Sequence, residues 1–231
     1  RSHSPSERVM VEQYLDGPHV STESIIVNGA CCTPAICDRN YDGLEHYAPF
    51  FVYNGGELPS HLSDETQAKV REVVIAAAAA LGVANGTVNG DVVVQNGEPY
   101  VIDLTARLSG GFFCTREILL HTGVDYIAAA IRLALGEQVI PEELVPKHAR
   151  SVVQRYAFPK AGEVVSIAGA DEARKIAGVD DVIVTVKPGD VIAAAGDKRP
   201  SAATVLTTGA SHDEALRAAN DALARIKINT R

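Results

Sequence analysis

The stretch Asn89–Gly111, NGDVVVQNGEPYVIDLTARLSGG, decides how this chain folds. Two runs of alternating apolar and polar residues flank Asn96-Gly97, a strong short-range hairpin signal, and a glycine pair closes the segment. Two registers are compatible with it. A two-residue Asn96-Gly97 turn sets Asp91 opposite Ile102 and sends Asp91 and Asp103 to opposite faces of the sheet. A three-residue loop of Asn96, Gly97 and Glu98, with Gly97 left-handed, sets Asp91 opposite Asp103. The second register sorts the side chains cleanly. Val92, Val94, Tyr100, Ile102 and Leu104 form a core face, and Asn89, Asp91, Asp103, Thr105 and Arg107 form a polar one. We adopt it.

Two carboxylates facing each other across a strand pair repel by some tenths of a kcal/mol or more unless something neutralises them. A divalent cation does this. Hard oxygen ligands without a neighbouring His or Cys select Mg²⁺ or Mn²⁺, and Mg²⁺ is commonly held by one or two carboxylates plus substrate phosphates. Thr105 or Asn89 can add a neutral oxygen, and Arg107 can hold an anionic group forming beside the metal. Gly110 and Gly111 let a ligand approach the backbone. The same alternation also describes a half-exposed hairpin whose outer face is merely polar. Spacing alone leaves both readings open.

Outward from the hairpin, the chain alternates between strands and a few helices. Upstream, RVMVEQYL, VSTESIIV and ACCTPAIC read as strands, the last two joined by an Asn28-Gly29 turn. A loop rich in Asp, Gly, Asn and Pro is expected from Asp38 to Pro59. Ser63, followed by Asp64 and Glu65, starts a helix that runs to about Gly82. Its five alanines, 76 to 80, suit close packing. Downstream, helices are expected over Thr115–His121 and Val124–Leu135, broken by Gly123. Prolines and charges in GEQVIPEELVPKHAR place a boundary near residues 136–150. Short Val-rich strands follow, with a helix over Asp171–Ala177 and a last one from Ser211, where SHDE is a capping box. The fold class is α+β, with an antiparallel sheet and helices followed by a small α+β domain.

Composition sets outer limits. The 231 residues amount to about one and a half domains on the usual length prior. The 21 Lys and Arg against 29 Asp and Glu give a net charge of −8, which argues against nucleic acid as a partner. The longest mainly apolar run, Val73–Val83, is far short of the roughly 20 residues that span a bilayer, so no membrane partner is expected. Cys31, Cys32, Cys37 and Cys114 make no disulfide framework, and a reduced cytoplasmic setting is the simplest expectation. The opening RSHSPSER has neither a signal-peptide core nor a transit pattern. Since Arg1 is no initiator Met, a tag, a cleavage or a missing first half is expected before it.

The runs VMVEQYLDGPHVSTE, NGDVVVQNGEPYVIDLTARLSGG and GVDYIAAAIRLALGE together resemble the second half of the ATP-grasp domain of biotin carboxylase, carbamoyl phosphate synthetase and the amino-acid ligases. On that resemblance, residues 1–140 are the C-terminal half of an ATP-grasp domain and 150–231 the small domain that follows it. The resemblance implies an adenine hinge with Glu12 and Gln13 beside the ring and Gln13 and Leu15 at its edge, and His19 near the ribose. It implies that Asp91 and Asp103 bridge Mg²⁺ to the phosphates of ATP, that Thr105 stands in the place of an Asn ligand, and that Arg107 is the catalytic arginine stabilising the acyl phosphate. Both acids are Asp where Glu is common, which brings the metal closer to the sheet.

The implied activity is ATP-dependent ligation of a small-molecule carboxylate to an amine, of the amino-acid or peptide ligase kind. A carboxylase of the biotin carboxylase kind is the alternative within the class. The family's first half and its phosphate-holding lysines are absent from these residues. They are expected in cis, in an enzyme of roughly 400 residues, or on a partner chain, and a homodimer is a further assembly. A nucleotide-binding module without turnover is the alternative from another class. Among other residues, His46 and Arg39 read first as solvated, and Arg116 as a carboxylate binder or a surface arginine. Cys114 reads as a buried thiol rather than a nucleophile. Glu23 reads as facing the nucleotide or exposed, and Lys198 and Arg199 as a charged turn.

Overall fold

The structure is a computed structural model describing residues 6–42, 45, 50–193 and 201–231. β1 (His19–Val27) and β2 (Ala30–Asn40) form a hairpin closed by Asn28 and Gly29 at φ 51° and 82°, the left-handed pair of a two-residue turn. β3 (Gly55–Leu58) lies along β2, while β4 (Gly86–Gln95) pairs with the other side of β1 and with β5 (Glu98–Thr105). α1 (Asp64–Ala80) begins at Ser63, whose hydroxyl accepts the amide of Thr66 at 3.2 Å. It buries Val70 and Val74 against Val20, Ile36, Val92 and Val94, covering one face of the sheet.

A π-helical turn (Phe113–Glu117), α2 (Ile118–Thr122) and α3 (Tyr126–Ala134) pack Phe113, Ile118 and Tyr126 onto Ile25, Ala35 and Cys37. β6 (Ser151–Ala157), β7 (Gly162–Ala168), α4 (Ala170–Arg174), β8 (Val179–Val184), β9 (Val191–Ile192), β10 (Ala203–Gly209), α5 (His212–Arg225) and β11 (Lys227–Thr230) complete the chain. The eight-stranded sheet runs β5-β4-β1-β2-β3-β6-β10-β8 with every pairing antiparallel, and β11-β7-β9 form a small second sheet. Residues 136–150 leave the sheet, passing through a 3₁₀ turn at Pro141–Leu144, but the sheet itself continues from β3 to β6. Small alanines let α5 lie close to it: Ala215 and Ala219 touch Val153, and Ala222 joins Val182 and Val205.

Several expected elements differ. RVMVEQYL joins no ladder, and Val9, Met10 and Val11 are exposed. Alternation can propose a strand, but the strand needs a neighbour to take its N–H and C=O groups. The expected loop Asp38–Pro59 contains β3, whose GGEL sequence carries turn residues. Two flanking strands hold it, and Gly56 is needed because a Cβ there would lie 2.7 Å from Cys37 Sγ. β11 was not expected either.

In the β4–β5 hairpin, Asn96 (φ 54°) and Gly97 (φ 80°) form a two-residue turn, so the three-residue loop is incorrect. Val92 pairs with Val101, yet Asp91 pairs with Asp103, because Ile102 is inserted as a bulge. The two aspartates face each other, as expected, by a different route. The bulge also corrects the core face: Tyr100 and Ile102 are 46% and 52% exposed, and Val101 packs beneath α1 instead.

Where β3 meets β6, a Cβ on Gly55 would sit 1.9 Å from the carbonyl oxygen of Gln154. Gly55→Ala is expected to part the sheet there and cost about 3 kcal/mol by denaturant melting. Gly29→Ala, at an open turn, costs only the left-handed strain of about 1 kcal/mol.

Candidate functional site

On the face of the sheet away from α1, alternate residues of three neighbouring strands converge. Asp91 Oδ1 on β4 accepts from Arg39 Nη2 on β2 at 2.7 Å and from Ser21 Oγ on β1 at 2.8 Å. The Arg39 guanidinium in turn lies 4.6 Å over the ring of Tyr53, where the ring's quadrupole favours it. Arg39 is therefore a half-buried partner of the expected metal ligand, not a solvated loop residue. Asp103 is exposed, and its Oδ2 accepts from Thr105 Oγ1 at 3.1 Å. Thr105 thus orients Asp103. Each carboxylate keeps a second oxygen for a hard cation, so the acid pair suits Mg²⁺.

Arg107 is held beside the pair by Asn89, which accepts from its Nη1 at 3.3 Å while the Asn89 amide donates to Thr22 O at 3.1 Å. The glycine loop beyond it is fixed from below. Glu23 is fully buried and its Oε1 takes the Ser109 amide at 2.7 Å. Burial pushes the Glu23 carboxyl up to about 7, against the opposing hydrogen bonds from Ser109. At the loop's far end Gln154 donates to Gly111 O, and the π-helical turn presents Glu117. Glu117 is 2% exposed, its Oε2 accepts from Cys37 Sγ at 3.7 Å, and desolvation raises its carboxyl to about 8.

Three cavities meet here. The central one, about 200 Å³, is lined by Arg39, Asp91, Arg107, the glycine loop, Glu117 and Tyr156 among others. A second, about 410 Å³, is lined by Glu12, Gln13, Leu15, His19, Val93 and Ile102, and shares Arg39 and Asp91 with the first. All four residues expected at the hinge and ribose thus line one cavity that opens onto Asp91. His19 sits edge-on to Tyr41, and burial, then Arg39, lowers its pKa, favouring the neutral imidazole. The third cavity, about 280 Å³, is walled by Phe51, Tyr53, Phe112, Tyr156 and Phe158 and joins the first at Gly111.

Other sequence candidates are engaged elsewhere. Arg116 binds Asp180 at 2.6 Å and Asp181 at 3.3 Å, tying the π-helical turn to β8. Cys114 is buried, its thiol raised by that burial and donating to Ser109 O at 3.1 Å. His46, Lys198 and Arg199 lie outside the described residues. Glu117, Gln154 and Tyr156 were missed by sequence reasoning. The signal available for Glu117 was its place just after the glycine loop.

An ATP-grasp domain profile matches residues 1–111, and one for L-amino acid ligase C-terminal domain 2 matches residues 155–231. Residues 1–111 thus belong to the ATP-grasp family. Within it, the solved L-amino acid ligase from Bacillus licheniformis has the same fold, with a TM-score of 0.82 at 23% identity over 95% of this chain and 53% of that one. Uncharacterized protein y4rH of Sinorhizobium fredii is 32% identical over 83% of this chain and 38% of its own length. Dapdiamide A synthase of Enterobacter agglomerans is 24% identical over 81% of this chain and 44% of its own. The chain therefore spans less than half the length of these two curated relatives. Among the described residues no helix is long and apolar enough to cross a membrane.

The two raised carboxyls have a pH signature. A carboxyl whose folded pKa lies above its unfolded value favours the folded state at low pH and loses that contribution as pH rises through the folded pKa. For Glu117 the window runs from the ordinary 4.5 to about 8. Glu117→Gln is expected to flatten the decline of melting temperature across that window and to stabilise the protein above it, as read by melts in a buffer series.

Proposed function

We propose that this chain carries the metal- and substrate-binding half of an ATP-dependent carboxylate–amine ligase acting on amino acids. What carries the reading is the register that sets Asp91 against Asp103 where two cavities join, with Arg107 on the same face. The match of residues 155–231 to an L-amino acid ligase domain favours an amine acceptor over the carboxylase chemistry of other superfamily members.

The adenine would lie among Glu12, Gln13 and Leu15, with neutral His19 toward the ribose. The phosphates would pass over Arg39 and Asp91 into the central cavity. Asp91 and Asp103 would hold Mg²⁺, which when bound offsets phosphate charge. A substrate carboxylate oxygen attacks the γ-phosphorus, the bond to the β–γ bridging oxygen breaks, and ADP leaves with that electron pair. Arg107 stabilises the acyl phosphate so formed. The amine then attacks the acyl carbon, the C–O bond to phosphate breaks, and the amine proton passes to Glu117. A carboxyl near 8 suits that transfer, since a base works best with a pKa close to the operating pH. Water must be kept from the acyl phosphate, and the aromatic walls of the third cavity supply a dry setting for the acceptor's side chain.

The lysines that grip the α and β phosphates would come from outside these residues, so the test uses the full-length protein. Arg107→Ala should lower kcat for amino-acid-dependent ADP release by about 10²–10³-fold with the melting temperature unchanged. Asp91→Asn and Asp103→Asn should each raise the Mg²⁺ concentration needed for turnover. Unchanged turnover in both aspartate variants would remove the metal assignment.

A further inference from the structure

On the far side of β3 from the central cavity, a second set of ligating groups converges that the ligase reading does not use. Glu57 on β3, His61 before α1 and His212 at the start of α5 each offer one ligand atom, all within 4.8 Å of one another. His212 Nε2 lies 2.8 Å from Glu57 Oε2, and His61 Nδ1 lies 3.8 Å from the same oxygen. The two rings meet edge to face with centroids 4.7 Å apart. We propose that these three side chains bind a divalent transition ion of the zinc class, which clasps α5 to the β3 wall of the active site.

The donor set and spacing both point that way. Two imidazoles and one carboxylate suit Zn²⁺ and its borderline neighbours and are poor ligands for Mg²⁺ or Ca²⁺. Around a tetrahedral ion with bonds of about 2.0–2.1 Å, ligand atoms stand about 3.4 Å apart. The observed 2.8 and 3.8 Å fall on either side of that, so the ion needs only small rotamer changes. Glu57 is 8% exposed, and its other oxygen is taken by buried Arg155 and by Asn40, which fixes the carboxylate with Oε2 toward the imidazoles.

The surrounding groups support the histidines. Asp38 Oδ2, held by the His61 amide at 2.7 Å, lies 3.0 Å from the same His61 Nδ1, a contact the ion would replace while the Asp38 charge stays beside the site. Asp213 Oδ1 lies 3.7 Å from the other nitrogen of His212 and adds negative charge on that side of the site. His61 is largely exposed, which leaves the fourth position to water and an entry path for the ion. Because Glu57 adjoins Gly56 in the cavity wall, the bound ion would stiffen that wall from behind.

The test is a Zn²⁺ titration of the chelator-stripped full-length protein, read by calorimetry and by melting temperature in excess Mg²⁺. One equivalent should bind and raise the melting temperature, and Co²⁺ in its place should give the intense visible absorption of a tetrahedral site. His61→Gln should weaken Zn²⁺ binding by about 100-fold or more without changing the unliganded melt, since His61 is mostly in solvent; His212→Gln should do the same to binding. Failure of the wild type to bind Zn²⁺, or equal binding by wild type and His61→Gln, overturns the proposal and leaves the cluster as an ion-pair network. Neither result bears on Asp91 and Asp103, which excess Mg²⁺ occupies.

Discussion

One inserted residue governs the site. The Asn96-Gly97 turn alone would pair Asp91 with Ile102 and bury one of the two aspartates against α1. The bulge at Ile102 shifts the strand by one residue below Val101, so the apolar pairs near the turn and the acid pair beyond it both find their proper faces. Two demands that conflict under a single register are met by two registers. The bulge also turns Ile102 outward, where it lines the hinge cavity instead of the core.

Arg39 extends that arrangement across the sheet. Its contacts with Asp91 and Ser21 join β2, β1 and β4 on one face, and its stacking on Tyr53 carries the link to the loop before β3. From there the sheet continues into β6, so the residues matching the two family profiles share one backbone ladder. The buried Glu57–Arg155 pair sits at that seam. Losing one partner would strand a buried charge, a cost of about 3–5 kcal/mol. The seam is thus specified by charge as well as by hydrogen bonding. The three cavities border the half of the sheet that this seam keeps in place.

Local chemistry explains which parts of the site were legible. Asp91, Asp103, Asn89, Thr105 and Arg107 lie on one hairpin, where alternation over a few residues determines the shared face. Glu12, Gln13, Leu15 and His19 were named through a family resemblance; the first three lie in RVMVEQYL, which joins no ladder, and His19 opens β1, yet all four line one cavity. Arg39, Tyr53 and Glu117 come from separate parts of the chain, and Gln154 and Tyr156 from a fourth, β6. Nothing in the sequence near Arg39 distinguishes a cation that will meet Asp91, 52 positions away, from one that will meet water.

By itself the sequence determined the α+β class, the Asn28-Gly29 turn, a hairpin around Asn96-Gly97 though not the length of its loop, the caps at Ser63 and Ser211, and the acid pair as a chemical unit. These depend on backbone conformations and hydrogen bonds spanning only a few residues. Only the tertiary structure decided that GGEL is a strand, that RVMVEQYL is not in a ladder, that Glu23 and Glu117 are buried, and that Glu57 meets two histidines. Each of those outcomes turns on whether a distant segment supplies a pairing edge or removes water, which no local pattern encodes.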